Sequence, residues 1–144
     1  TKGAKMDVKV TWKQEMAFTG TADSGHEVTL DSAEGSGGHN TGFRPTELIA
    51  IGTAGCTSMD VLSILSKKKV PFTAYECKVH VESVQDKHPH VFKLMEFEYI
   101  VTGKGIDRAD VERAVQLSEE KYCQGIAMMR KTAEIRSRIT IIEE

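Results

Sequence analysis

Apolar and polar residues alternate along four stretches of the chain, and a two-residue period predicts β-strands that bury one face. These stretches are residues 6–13, 75–82, 95–101 and 135–141. Two shorter strands, residues 17–22 and 26–31, follow the first after turn signals and complete an antiparallel meander. The strands at 75–82 and 95–101 flank another turn signal, so we expect them to form a long hairpin.

The most apolar segment, residues 43–69, predicts one long helix in the middle of the chain. Pro45 suits the first helical turn, and the lysines that begin at Lys67 suit the last turn, where they meet the negative end of the helix dipole. The residues between them are nearly all apolar or small, so we expect the helix to be covered on most sides. Glu47, Asp60 and several small polar residues interrupt the apolar run, and a membrane span is not expected.

The rest of the chain predicts a second helix and a short third one. A glycine-rich connection, residues 32–42, leads into the long helix. Asp107 is a plausible N-cap for the second helix, whose apolar pattern continues to Tyr122. Cys123 interrupts that pattern, and residues 126–132 read as a short helical piece. Strands segregated from helices indicate an α+β fold rather than a doubly wound sheet.

Length and composition favour a single domain that spans residues 1–144, with residues 1–5 as an irregular lead-in that is disordered or not native. A net charge of −2 provides no basic field for nucleic acid, and 40% hydrophobic with 28% charged residues is ordinary for a soluble protein. The first residues lack the apolar core of a signal peptide. Three widely spaced cysteines favour the reducing cytoplasm over a secreted disulfide scaffold. Because one chain has limited means to cover a helix that is apolar on all sides, we expect a homodimer with that helix near the interface.

Two of the cysteines lie in recognisable sequence contexts. Residues 45–56, PTELIAIGTAGC, resemble the first cysteine motif of the OsmC/Ohr family, which comprises osmotically induced protein C and the organic hydroperoxide resistance proteins. Residues 118–123, SEEKYC, resemble its second cysteine motif, and the order of strands and helices agrees over nearly the whole chain. The amino-acid sequences of residues 55–61 and 121–123 are most similar to those of the YhfA-like branch of the family.

The resemblance implies an OsmC-like fold, with antiparallel sheets around a long buried central helix, in an intertwined homodimer with two active sites at the subunit interface. It also implies a cysteine-based peroxidase that uses no cofactor. Cys56 would attack the O–O bond of an organic hydroperoxide as a thiolate, giving an alcohol and a sulfenate. Cys123 would resolve the sulfenate to a disulfide, and a dithiol or protein-bound lipoyl reductant would reset the pair.

Activation of Cys56 requires positive charge or hydrogen-bond donors, because burial disfavours a thiolate and Asp60, one turn along the same helical face, opposes it. The family supplies an arginine from the N-terminal strand region, but no arginine precedes Arg44 here. Arg44 is therefore the candidate cation, acting from the partner chain or through a bend, unless it is only an exposed residue at the helix start. Glu47 falls one position after the family's glutamate, and on a continuous helix it lies about 180° around the axis from Cys56. It either takes the role of the family's active-site glutamate or only complements the positive end of the helix dipole.

The remaining candidates carry less specific signals. We expect Cys123 to have a lowered pKa at the N-terminus of the short helix, unless it merely ends the helix before it. Cys77 reads as a core residue of its strand. His88 and His90 form an H-x-H pair with no apparent third ligand, so no metal site is expected. Three methionines are expected to pack the helices or to line an apolar pocket, namely Met59, Met128 and Met129.

Two other functions remain open from the residues alone. The chain would be a small-molecule or acyl-chain binding dimer if its cysteines are not catalytic. It would be a thiol redox sensor if Cys56 oxidises without turnover.

Overall fold

The computed structural model describes residues 5–144, so residues 1–4 of the expected lead-in lie outside the described part. The elements in chain order are β1 (Val8–Gln14), β2 (Ala17–Ala22), β3 (Glu27–Leu30), α1 (Pro45–Lys67), β4 (Phe72–Ser83), β5 (Phe92–Gly103), α2 (Arg108–Leu117), a π-helical turn (Ser118–Tyr122), α3 (Gln124–Met129) and β6 (Glu134–Glu143). This order confirms the expected α+β class. The chain divides into two compact units, residues 1–49 and residues 50–144, and α1 begins in the first and continues in the second.

The first unit contains the predicted meander, in the order β1-β2-β3. Both pairings are antiparallel, with Trp12 opposite Phe18 and Phe18 opposite Leu30. The apolar side chains of β1 are exposed in the single chain, among them Val8, Val10 and Trp12. The buried face that the alternation predicts for β1 is therefore left uncovered by one chain.

The glycine-rich connection of the first unit is organised around one buried carboxylate, Asp31. Its side chain accepts the N–H groups of Ser32, His39 and Thr41 and the hydroxyl of Thr41 at 2.7 to 3.1 Å. These donors, led by the Thr41 hydroxyl, hold the pKa of Asp31 far below its usual range. The hydrogen bonds to Asp31 thus hold this segment in one conformation despite its glycine content.

The second unit contains a three-stranded sheet in the order β4-β5-β6. β4 and β5 form the predicted long antiparallel hairpin, in which Cys77 lies opposite Tyr99. β6 departs from the expected antiparallel arrangement, because it pairs with β5 in parallel, with Tyr99 opposite Ile139. The α2–α3 segment provides the crossover that a parallel pair requires.

The core of this unit lies between α1, the sheet and the α2–α3 segment. α1 buries one stripe, and two of its other apolar side chains, Ile51 and Met59, are 52% and 76% exposed in the single chain. By length and composition α1 is apolar enough to cross a membrane, but it carries Asp60 and packs its buried stripe into the core. The buried stripe consists of Thr53, Thr57, Val61 and Leu65.

The methionine prediction is only partly correct. Met129 packs against the core, whereas Met59 and Met128 are 76% and 60% exposed. Helical periodicity places Met59 off the buried stripe of α1, which the sequence alone did not reveal because every face of that helix is apolar.

Candidate active site

Cys56 lies near the middle of α1, where its half-buried side chain packs against the core of the second unit. Thr53, one turn before it, and Thr57, the next residue, are both buried. Because the helix presents this stripe to the core, the sulfur of Cys56 faces the elements that pack there.

Cys123 lies between the π-helical turn and α3, and it is 3% exposed. Its backbone N–H donates to the Ser118 carbonyl at 2.8 Å, and its sulfur accepts the Ile126 N–H at 3.3 Å. It is thus the N-cap of α3, as its position in the sequence suggested. Both cysteines are free thiols.

The structure brings the two cysteines near each other at the same core, close enough for Cys56 to influence the pKa of Cys123. Burial raises the pKa of Cys123 to about 12; the Ile126 N–H opposes this rise, and the nearby Cys56 side chain adds to it. The expectation of a lowered pKa at Cys123 is therefore wrong, because burial outweighs the N–H donor. Cys123 therefore keeps its proton at neutral pH.

The surface of α1 beside Cys56 is open. Gly52 precedes Cys56 by one turn, and a Cβ added there would have no atom within 4 Å; the same is true of Gly55. Side chains at i and i+4 lie on one face of a helix, so this space adjoins the Cys56 side chain. A small apolar molecule has room to approach the sulfur from this side.

A cluster of polar side chains, Thr57, Asp60, Tyr99, Ser118 and Glu119, interrupts the apolar core next to the cysteines. The hydroxyl of Thr57 lies 2.8 Å from that of Ser118 and 3.0 Å from that of Tyr99. Ser118 donates to Asp60 at 3.0 Å, and Tyr99 donates to Glu119 at 2.8 Å. We call this set the polar cluster; two carboxylates lie at its ends and three hydroxyls lie between them.

The polar cluster is not predictable from the sequence pattern, although one signal is present. Thr57 and Asp60 are polar residues three positions apart on a helix predicted to be buried, and buried polar groups nearly always have hydrogen-bond partners. Their partners lie about 40 to 60 residues away along the chain, at Tyr99 and Ser118. No local pattern could identify those partners.

Cys77 and Tyr75 lie on the core side of β4, as the alternation predicted. The Tyr75 hydroxyl is 2.8 Å from that of Ser58 on α1. Burial raises the pKa of the Cys77 thiol, while hydrogen bonds with Ser58 and Tyr75 lower it less. Cys77 is thus held as a thiol in a packed environment.

Arg44 and Glu47 contact each other at the start of α1. The Arg44 N–H donates to Glu47 Oε1 at 2.9 Å, which is the reciprocal half of a capping box. The Arg44 guanidinium donates to the Gly42 carbonyl at 3.1 Å and to Asn40 Oδ1 at 3.0 Å. These contacts orient both side chains at the helix N-terminus, within the first unit.

The His88 and His90 rings lie with their centroids 4.2 Å apart and their planes tilted by 43°. Within residues 5–144, no group of three or more His, Cys, Asp or Glu side chains is arranged to hold a metal ion.

The comparisons with known proteins agree with this architecture. The family described as OsmC-like protein matches residues 38–138. Protein YhfA of Escherichia coli K12 is 33% identical over 130 residues, which cover 90% of this chain and 93% of YhfA. This similarity confirms the resemblance to the YhfA-like branch.

Solved structures share the fold over nearly the full length. A hypothetical protein from Aquifex aeolicus VF5 has a TM-score of 0.85 at 25% identity, covering 97% of this chain and 98% of that chain. The organic hydroperoxide resistance protein OhrB of Bacillus subtilis has a TM-score of 0.64 at 20% identity, covering 94% and 98%. With a family match over residues 38–138 and a curated relative at 33% identity, this chain belongs to the OsmC-like family.

Proposed function

We propose that this protein reduces organic hydroperoxides, with Cys56 as the attacking thiolate and Cys123 as the resolving thiol. The observation that carries the proposal is the proximity of the two cysteine side chains, both of them free thiols and both packed at the same core. The fold is shared with proteins named for organic hydroperoxide resistance, which supports a peroxide-related redox role.

The steps balance with one hydroperoxide and one dithiol consumed. The Cys56 thiolate attacks the terminal oxygen of ROOH, the O–O bond breaks, and Cys56 becomes a sulfenic acid as RO⁻ takes a proton to leave as ROH. Cys123 then attacks the sulfenic sulfur, and the disulfide forms with release of water. A dithiol, of which a lipoyl group is one type, reduces the disulfide by exchange and is itself oxidised to a cyclic disulfide.

The protonation of Cys123 supports this division of roles. Because burial raises the pKa of Cys123, that thiol keeps its proton at neutral pH and suits the resolving role better than the attacking one. The open surface beside Gly52 lets a hydroperoxide with an apolar substituent reach the sulfur of Cys56. Resolution then requires Cys123 to give up its proton as it attacks.

We include Arg44 as the cation of the site and Glu47 as the carboxylate beside it, both acting from the partner chain, because α1 is one continuous helix and Glu47 lies about 180° around it from Cys56. The Glu47 carboxylate accepts the backbone N–H of Arg44 at 2.9 Å, which holds Glu47 beside Arg44, while the guanidinium itself is oriented by Gly42 and Asn40. Arg44→Gln should lower kcat/KM for the hydroperoxide far more than Arg113→Gln, because Arg113 lies on the exposed side of α2. Equal rates in the two variants would remove Arg44 from the proposal.

We also propose that the protein acts as a homodimer in the cytoplasm. Each unit exposes large apolar side chains in the single chain, including Trp12 in the first and Met59 in the second, and a second copy would cover them. Sedimentation equilibrium should give twice the mass of the chain, and Met59→Asp should shift it toward the monomer. A wild-type monomer at micromolar concentration would contradict the dimer.

The test of the reaction is steady-state reduction of cumene hydroperoxide with a dithiol as reductant. Cys56→Ser should remove activity, and Cys123→Ser should accumulate a sulfenic acid that dimedone traps on Cys56. Cys77→Ser is the matched control, because it removes a thiol that lies outside the pair. Unchanged activity in Cys56→Ser would overturn the proposal.

The same assay separates the two other functions. If the protein binds acyl chains instead, the wild-type protein and the Cys56→Ser variant should bind a fatty acid with equal affinity, and neither should consume hydroperoxide. A redox sensor would consume one equivalent of hydroperoxide per site and then stop in the presence of the dithiol.

A further inference from the structure

Ser118 joins the helix that carries Cys56 to the turn that carries Cys123. Its hydroxyl lies 2.8 Å from that of Thr57 and donates to Asp60 Oδ2 at 3.0 Å, and both partners belong to α1. Thr57 and Ser118 are each 0% exposed. A buried hydroxyl without a partner is costly, so these groups hold one another in place.

The backbone of Ser118 holds Cys123 directly. The Ser118 carbonyl accepts the Cys123 N–H at 2.8 Å, which closes the π-helical turn. Single π turns are rare and occur often at functional sites. One residue thus binds α1 through its side chain and Cys123 through its backbone.

A second contact lies on the other side of Cys123. A Cβ added to Gly125 would lie 3.1 Å from Thr53 Cα and 3.2 Å from Thr53 Cγ2, so this segment approaches α1 closely there. Thr53 precedes Cys56 on the helix, whereas Thr57 and Asp60 follow it. The segment that carries Cys123 therefore touches α1 both before and after Cys56.

Glu119 ties the same turn to the sheet. Its two carboxylate oxygens accept the Tyr99 hydroxyl at 2.8 Å and the Ser137 hydroxyl at 3.2 Å. These strand residues belong to β5 and β6. The π-helical turn is anchored by adjacent residues to α1 on one side and to the sheet on the other.

We propose that Ser118, with Thr57 and Asp60 as its partners, is the positioning residue that holds the segment carrying Cys123 against α1 beside Cys56. Asp60 thereby has a structural role as a hydrogen-bond acceptor. The contact governs how readily the disulfide forms, in which Cys123–SH and Cys56–SOH give the S–S bond and water. The proposal deepens the proposed function at its resolving step.

The test measures the disulfide equilibrium of the whole protein in buffers of reduced and oxidised glutathione. Oxidised glutathione supplies the oxidant: two protein thiols give the disulfide and two reduced glutathione molecules. Ser118→Ala should lower the equilibrium constant for the Cys56–Cys123 disulfide by about tenfold, because losing hydrogen bonds of this kind frees the turn to leave α1. A folded Ser118→Ala variant with the same disulfide equilibrium constant as wild type would overturn the proposal.

Two comparisons distinguish positioning from a general loss of stability. Tyr75→Phe removes a hydroxyl from the core without touching Ser118, so it should leave the equilibrium constant within about twofold of wild type. Asp60→Ala should lower the constant, and Asp60→Asn should restore it because the amide oxygen still accepts from Ser118. An equal fall in Tyr75→Phe, or the same value in both Asp60 variants, would contradict the proposal.

If Ser118→Ala does not fold, Thr57→Val supplies the same test, because it removes a hydroxyl partner of Ser118 and keeps the branched shape. The readout needs no hydroperoxide, so it is independent of the proposed enzyme activity. A protein without peroxidase activity whose disulfide equilibrium responds to Ser118 would refute the proposed function alone. An active peroxidase whose equilibrium does not respond would refute the positioning role alone.

Discussion

Removing the hydroxyl of Tyr99 tests whether the polar cluster contributes to the stability of the second unit. Tyr99 lies on β5 with 0% exposure, and its hydroxyl donates to Glu119 at 2.8 Å and lies 3.0 Å from the Thr57 hydroxyl. Burial, followed by the nearby Glu119 charge, raises the pKa of Tyr99 above its usual range, so the phenol stays protonated and remains a donor. Tyr99→Phe keeps the ring in place and removes only these two hydrogen bonds.

The expected cost follows from the kinds of hydrogen bond that are lost. A hydrogen bond to a charged group contributes about 1.5–3 kcal/mol and a neutral one about 0.5–1.5 kcal/mol. Tyr99→Phe should therefore lower the free energy of unfolding by roughly 2–4 kcal/mol, with Glu119 left to Ser137 alone. For a chain of this length the melting temperature should fall by roughly 5–15 °C.

The assay is urea unfolding followed by circular dichroism at one fixed protein concentration, because a dimer's stability depends on concentration. The midpoint should move and the slope should not. Tyr122→Phe is the control, since that side chain is 52% exposed. A loss below about 0.5 kcal/mol in Tyr99→Phe, comparable with that of a surface substitution, would refute the reasoning.

Three further predictions follow from particular residues. The pKa of Cys123 rises from 9.0 to about 12 on folding, so between these pH values the unfolded chain releases a proton that the folded chain keeps. The free energy of unfolding should fall as pH rises through that range, and less steeply in Cys123→Ser, as urea titrations in the presence of reductant would show. Gly52→Ala should raise the free energy of unfolding by up to about 1 kcal/mol, whereas Gly52→Leu should lower kcat/KM for cumene hydroperoxide by filling open space; an unchanged kcat/KM would argue against access along this face. The Thr41 and His39 donors hold the pKa of Asp31 below its ordinary value of 3.8, so the stability advantage of wild type over Asp31→Asn should persist above that pH and shrink on acidification below it; a constant difference would contradict this linkage.

The local structure of this protein was largely predictable from the sequence. Alternation identified the hairpin of β4 and β5, and Pro45 marked the start of α1, while the lysines expected in its last turn placed its end within two residues of Lys67. These properties depend on neighbouring residues, because a strand or helix repeats its side-chain directions over a few positions. The two cysteine motifs were found for the same reason, since each is a continuous run of residues.

The arrangement of the candidate site was not predictable in the same way. The contact between Cys56 and Cys123 joins segments far apart in the chain, and the partner of Asp60 is Ser118 on a different element. The pKa of Cys123 has the opposite direction from that expected, because burial is decided by all the elements packed around a residue rather than by the start of its own helix.

The sequence by itself therefore determined the α+β class, the elements and the two thiols. Only the tertiary structure decided that β6 pairs with β5 in parallel, which side of α1 is buried and which hydroxyls connect Asp60 to Glu119. The physical reason is that periodicity is a local property, whereas strand pairing, desolvation and buried hydrogen bonds depend on contacts between residues distant in the chain.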